Sequence, residues 1–292
     1  MQNVPGAQSC DALQGGLLSL AFVRFDLRQH RKIVVIDGRI GYTGSSNLAD
    51  PRLFKREAEV GQWIDAMVRI EGPAVEALGI TFLSDWYVET NDSLEELQAT
   101  GDAKPQPKRG NCAVQVMPSG PGMARYAVEQ VLLTAVYSAH EELVLTTPYF
   151  VPSEALSMAL VAAARRGVKV ILIVPARIDS MMVRYASGAF KGELLEAGVK
   201  IASFGDGLLH TKSVTVDGSH SLFGSVNLDP RSFRLNFEIL VALYDREFTA
   251  QLRALQQTYI DRSQLLDLSA YQARPQLRQT LESFARLLGP LL

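Results

Sequence analysis

Sulfur chemistry has little to work with in this sequence. Two cysteines, Cys10 and Cys112, occur among 292 residues. They make no disulfide framework and fit a reducing compartment. Histidine is scarce too, with four in all, and no cluster of His, Asp and Glu shows metal-ligand spacing, so neither a resident metal nor another cofactor is expected. Positive charge is not in excess: 29 Lys and Arg stand against 31 Asp and Glu, for a net charge of −2. A dedicated nucleic-acid partner is therefore not expected. No apolar run reaches the roughly 18–20 residues of a spanning helix; the best candidate, 158–164, ends in Arg165-Arg166. Residues 1–16 lack the basic start and apolar centre of a signal peptide. Being rich in Gly, Gln and Ser, they are expected to be loosely ordered. What remains, 47% hydrophobic and 21% charged, is the composition of a globular protein with room for one large or two ordinary domains.

What the chain does contain is a repeated pattern. His210-Thr-Lys212-Ser-Val-Thr-Val-Asp217-Gly runs on to Gly224-Ser225-Val-Asn227-Leu228. On a strand, residues i and i+2 share a face, so His210 and Lys212 project together, with Val214 and Val216 as the apolar anchor of that face. Asp217-Gly218 reads as a hairpin turn, and the return strand puts Ser225 and Asn227 on a common face. His30-Arg-Lys32-Ile-Val-Val-Ile-Asp37-Gly38, followed by Gly44-Ser45-Ser-Asn47-Leu48, repeats its His, Lys, Asp-Gly, Gly-Ser, Asn and Leu at a constant offset. Both copies continue to Asp-Pro-Arg, at 50–52 and 229–231. A repeat of this size implies two similar subdomains whose active groups meet at a pseudo-twofold interface.

Taken in order, the chain reads as a strand over 62–70, a helix over 73–87 opened by Pro73, and a polar linker over 91–110. Strands then alternate with helices: strand 143–147, helix 153–166 capped by Ser153, strand 168–174, helix 180–197, strand 199–204, the second motif hairpin, strand 236–244 and helix 247–262. That alternation indicates an α/β sandwich. About 65 residues of strand and helix precede His210, but 29 mostly featureless ones precede His30. Internal symmetry therefore predicts that the first half lacks most of its sheet, and that a complete version of the protein begins further upstream.

A phosphodiester is a poor electrophile, because its anionic oxygens repel nucleophiles. Fixed cations and a covalent intermediate overcome this without a metal. Lys32, Lys212, Asn47 and Asn227 suit the neutralising and orienting of phosphoryl oxygens. Two histidines with ordinary pKa values near 6.5 can divide attack and proton transfer. An attacking imidazole needs its other nitrogen held by a carboxylate. Glu238 is the natural candidate in the second half, and Glu57 or Asp65 in the first. Asp37 and Asp217 face away from the lysines by parity and read as turn residues. His140 reads as structural at a helix end, and His220 as solvated in the hairpin turn. Tyr149, in Thr147-Pro-Tyr-Phe150, is either pocket wall or core; Asp179-Ser180 caps a helix, and Arg231-Ser232 fixes a loop. The apolar face of the last helix (Leu277, Leu281, Phe284, Leu287, Leu288) suits core packing more often than lipid contact.

With both motifs in view, the sequence resembles the phospholipase D superfamily, whose signature is a duplicated His-x-Lys-x4-Asp with a downstream Gly-Ser-x-Asn. Residues 26–32, 61–65, 147–152, 208–213, Asn227-Leu-Asp229, Arg231-Ser232, Asn236-Phe-Glu238 and Gly289-Pro-Leu-Leu resemble bacterial cardiolipin synthases in particular. The resemblance runs from about residue 18 to the end. It implies a duplicated α-β-α sandwich with an incomplete first half over 1–90, a linker over 91–110 and a second half over 111–292. It also implies a phosphatidyltransferase that joins two phosphatidylglycerol molecules into cardiolipin and glycerol at a membrane surface, on the cytoplasmic face of the bacterial inner membrane. The catalytic set carried over is His30, Lys32, Asp37, His210, Lys212 and Asp217, with His30 as nucleophile and His210 as acid/base. Asn47 and Asn227 carry over as phosphate ligands, Ser45 and Ser225 as supporting hydroxyls, and Glu238 as partner of His210. The family form has membrane-spanning helices and a complete first half before the first motif, so the chain resembles an N-terminally truncated member. The alternatives are a phospholipase or phosphodiesterase using water, or an inactive fragment.

Overall fold

Val-, Ile- and Leu-rich runs bounded by Ser and Gly decide the architecture, because such runs are stable only when covered on both faces. The computed structural model describes residues 28–287 apart from 51, 53–59, 91 and 125. The expected loose start over 1–16, Glu57 and Gly289-Pro-Leu-Leu therefore lie outside the described residues. The first half supplies β1 (Ile33–Ile36), β2 (Ile40–Gly44), β3 (Trp63–Ile64), β4 (Met67–Glu71), α1 (Ala74–Glu89) and α2 (Leu94–Ala99). The second runs β5 (Ala113–Ser119), α3 (Ala127–Ser138), β6 (Glu142–Thr146), α4 (Glu154–Arg165), β7 (Lys169–Pro175), α5 (Met181–Glu196), β8 (Lys200–Phe204), β9 (Leu208–Leu209), β10 (Ser213–Val216), β11 (His220–Gly224), α6 (Pro230–Arg234), β12 (Glu238–Tyr244), α7 (Arg246–Asp261), β13 (Ser263–Leu265), α8 (Leu268–Gln272) and α9 (Gln276–Leu287).

Eight strands form one sheet in the order β13-β8-β7-β6-β10-β11-β12-β5. β6, β7 and β8 are parallel, joined through α4 and α5, while the motif hairpin β10-β11 pairs antiparallel with β6 on one side and β12 on the other. Alternate residues of the central strands face opposite layers. Leu143, Leu145, Leu172, Val214 and Val216 pack under α3, α4 and α5. Val144, Ile171, Ile173 and Phe204 pack under Tyr259 of α7. The result is an α-β-α sandwich. Ser153 caps α4 by accepting from the Leu156 N–H, as its position before the apolar run predicts.

In the first half, β1, β2 and β4 form a sheet of three strands, the counterpart of β10, β11 and β12. Among the described residues β1 pairs on one edge only, and Val34 and Ile36 stand more than 40% exposed. Val68 and Ile70 of β4 and Val75 and Leu78 of α1 pack against Phe223, Ile239, Val241 and Leu243 of the large sheet.

Several local expectations need correction. The strand expected over 62–70 breaks at Asp65-Ala66 into β3 and β4, which belong to different sheets. The stretch read as a linker contains α2, opened by a capping box between Ser93 and Glu96. β5 and α3 were not among the expected elements. His220 starts β11, half-buried, stacked on Tyr244 with ring centroids 5.9 Å apart. The last helix turns Leu277, Leu281 and Phe284 outward rather than into a core; Glu282, held by Arg274 and Arg278, points inward.

Candidate active site

The two halves meet through short parallel pairings that place the functional side chains. β3 lies beside β9, with Trp63 opposite Leu208 and Ile64 opposite Leu209. The next residues along the two chains are Asp65 and His210. The other copy of this arrangement is an isolated parallel bridge between Gln29 and Phe237, whose next residues are His30 and Glu238. The backbone bonds match: the His210 N–H donates to the Ile64 carbonyl at 2.8 Å, and the His30 N–H to the Phe237 carbonyl at 2.9 Å.

Each imidazole is therefore held by a carboxylate from the opposite half. His30 Nδ1 lies 2.9 Å from Glu238 Oε2, and His210 Nδ1 lies 2.6 Å from Asp65 Oδ1. This corrects the pairing of Glu238 with His210. Strand parity within one half says nothing about which carboxylate faces which imidazole across the interface; the parallel pairings decide it. An ionised carboxylate only accepts, so each Nδ1 carries the proton and each Nε2 presents its lone pair.

The two serines bond the same two carboxylates. Ser225 Oγ donates to Glu238 Oε2 at 2.5 Å and accepts from the Ile239 N–H at 3.0 Å. Ser45 Oγ donates to Asp65 Oδ1 at 2.7 Å and accepts from the Ala66 N–H at 3.0 Å. Each hydroxyl has spent its proton on orienting a carboxylate. Asn236, to which the motifs assign no role, holds the other oxygen of Glu238 at 3.1 Å. Trp63, likewise without an assigned role, covers His210 with ring centroids 4.4 Å apart.

Lys32 Nζ and Lys212 Nζ each donate to the carbonyl of their own motif histidine at 2.6 Å, a second instance of the pseudo-symmetry. Burial pushes Lys32 down to about 8 despite the carboxylates nearby. Burial, and then the charge of Lys32, pushes Lys212 well below its ordinary value. Two lysines crowded together and stripped of water describe a site that gains by taking in an anion. Burial and the neighbouring Lys212 push His210 down to about 3, so its imidazole is neutral at pH 7. Buried Asn227 has an Oδ1 without a partner among the described residues. Asn47 lies half-buried after β2. Burial raises Asp229 to about 6, although it accepts from the Ser232 N–H at the start of α6.

The motif aspartates do not join this group. Asp217, at φ 48°, accepts the backbone N–H groups of His140, Glu141 and Glu142 at 2.8–2.9 Å, and so pins the hairpin to the start of β6. Asp37 takes the same left-handed turn conformation, φ 54°, and is exposed. Both are turn residues, as parity indicates, and leave the catalytic set. Tyr149 donates to Asp179 at 2.7 Å, and the adjacent Phe150 bridges to Leu228, one residue beyond Asn227.

Two similar halves sharing one site, with a crossed imidazole–carboxylate pair from each, define a phospholipase D-like fold. Residues 132–259 match the family model described as cardiolipin synthase, PLD-like domain. Cardiolipin synthase A of Pectobacterium atrosepticum is 49% identical over 292 residues, which is all of this chain and 60% of that protein. Cardiolipin synthase A of Proteus mirabilis is 50% identical over 287 residues, covering 98% of this chain and 59% of that protein. The chain thus spans about 60% of the length of these curated relatives. Among solved structures, phosphatidylserine synthase of Haemophilus influenzae shares the fold with a TM-score of 0.66 at 18% identity, covering 91% of this chain and 71% of that one. No helix among the described residues is long and apolar enough to cross a membrane.

Proposed function

We propose that the chain is the catalytic part of a cardiolipin synthase, transferring a phosphatidyl group from one phosphatidylglycerol to a hydroxyl of another. The reading rests above all on the crossed pairs: two imidazoles, each with Nδ1 tied to a carboxylate, flanked by buried Lys212 and half-buried Lys32. His30 Nε2 attacks phosphorus, and the first glycerol departs with a proton from His210. The product of that step is a phosphatidyl-histidine. A glycerol hydroxyl of the second lipid then loses its proton to His210 and attacks phosphorus, which frees His30 and completes cardiolipin. Lys32, Lys212, Asn47 and Asn227 hold the phosphoryl oxygens; Glu238 and Asp65 orient His30 and His210. The substrate being a lipid, the site works at a membrane surface, on the cytoplasmic face by family likeness. The division into halves at 1–90 and 111–292 follows the repeat.

The neutral state of His210 favours a second reading, in which His210 attacks and His30 is the acid. Labelled phosphatidylglycerol in vesicles tests the whole scheme. Cardiolipin and glycerol support transfer, phosphatidic acid indicates water as acceptor, and no turnover by the chain sinks both. Mapping the trapped lipid-labelled peptide, on 30 or on 210, assigns the nucleophile.

A further inference from the structure

Joining two phosphatidylglycerol molecules brings two phosphodiesters to one enzyme, and the two lysines attend to the one being cleaved. The acceptor keeps its own anion, a glycerol's length from the reacting hydroxyl. A cavity of about 500 Å³ lies beside the His30 pair, at the end of β5. One of its walls is Ser119, the residue opposite Glu238 in the β5–β12 pairing. The Gly120–Gly122 loop that follows has no Cβ at either glycine. The Phe237 ring sits where a side chain at 120 would project, so this loop packs against the bridge that positions His30.

Two features of that cavity suit an anion. Arg234, at the end of α6, lines it and is exposed, with its guanidinium over the Tyr126 ring at 5.3 Å. Among the described residues no carboxylate pairs with it, whereas Arg31 nearby is spent on Asp85, the Ser119 carbonyl and the Glu238 carbonyl. Ser119 is 5% exposed, and its hydroxyl has no hydrogen-bond partner among the described residues. A buried hydroxyl left unpaired is costly unless something fills it. A cation stacked on an aromatic ring is held in place for a planar, two-pronged grip on phosphate.

We propose that this cavity receives the phosphodiester of the acceptor phospholipid, with Arg234 as its counter-ion and Ser119 as a hydrogen-bond donor. The proposal rests on the transferase reading for its role, but not for its existence as a glycerophosphate site. Two measurements separate these. In the first, sn-glycerol 1-phosphate is titrated calorimetrically into the full chain and into Arg234→Gln and Ser119→Ala. Loss of a charge-assisted contact should weaken binding roughly tenfold or more for Arg234→Gln, and less for Ser119→Ala. Inorganic phosphate run in parallel should bind more weakly than glycerol phosphate; equal binding assigns the cavity to free phosphate and overturns the lipid assignment. Equal affinity of wild type and Arg234→Gln for glycerol phosphate overturns the site.

In the second, phosphatidylglycerol vesicles are given with ethanol as a competing acceptor that has no anion. Both products arise from one covalent intermediate, so their ratio is independent of how much protein is folded. Arg234→Gln should lower the ratio of cardiolipin to phosphatidylethanol about tenfold or more. An unchanged ratio, even with lower total turnover, overturns the acceptor role. Absence of both products in the wild type refutes the transferase reading and the acceptor role with it, while the titration still decides the site.

Discussion

Glu238 and Asp65 carry opposite assignments in the chemistry although their surroundings are nearly the same. Each accepts from a serine hydroxyl and from an imidazole. Under the proposed mechanism Glu238 orients the attacking His30, and Asp65 orients the proton-handling His210. A leaving group that needs no proton, such as nitrophenolate, separates the two. Glu238→Gln should slow turnover of both the natural lipid and a nitrophenyl phosphodiester by roughly 10²–10⁴-fold, the order expected when a tautomer is lost. Asp65→Asn should slow the natural lipid by a similar factor and the nitrophenyl ester far less. Steady-state rates on the two substrates check this, and the reverse pattern transfers the nucleophile to His210. The sequence placed both histidines, both lysines and the two serines in repeated register. It offered Glu238 and, beside Glu57, Asp65 as carboxylates but not which faces which imidazole, because a contact across 145 or 208 residues leaves no trace in local periodicity.

At the scale of elements, the hairpin β10-β11 owes its position to Asp217. Three backbone N–H groups at the start of β6 point at that one carboxylate, and its backbone sits in the left-handed region. Asp217→Ala removes three acceptor contacts and leaves a β-carbon in a conformation that alanine resists. A loss of about 2–3 kcal/mol of stability is expected, read as a lower urea midpoint. The rate per folded molecule should fall far less than for a His210 variant. A catalytic role for Asp217 would show as a rate collapse at unchanged stability. Elements were legible where burial on both faces produced an unbroken apolar run, as in β7, or where a cap and a stop bracketed a helix, as in α4. β3 and β9 were not legible. Two residues each carry no period, and their pairing is set by the docking of the halves rather than by their own composition.

For the molecule as a whole, the joint between halves is a close approach of two backbones. Gly207, at φ 125°, leads into β9, and a β-carbon there would stand 2.4 Å from the Gln62 carbonyl. Gly207→Ala should push β3 from β9 and draw Asp65 away from His210. It should lower the unfolding temperature and cut turnover of the natural lipid more than tenfold, because small displacements of catalytic groups are costly. Retention of wild-type turnover would show that the site tolerates an open joint. Among the described residues, β10 has a paired neighbour on both sides and β1 on one.

The crossed carboxylates have a consequence for how such a chain can be inherited and divided. Neither half owns a complete acid–base pair, so a change in the docking angle registers in both pairs at once. Exchange of a single half between relatives must therefore preserve the partner's interface or lose both histidines together. Two polypeptides split within 104–108 would report their own association, since chemistry and assembly become one event.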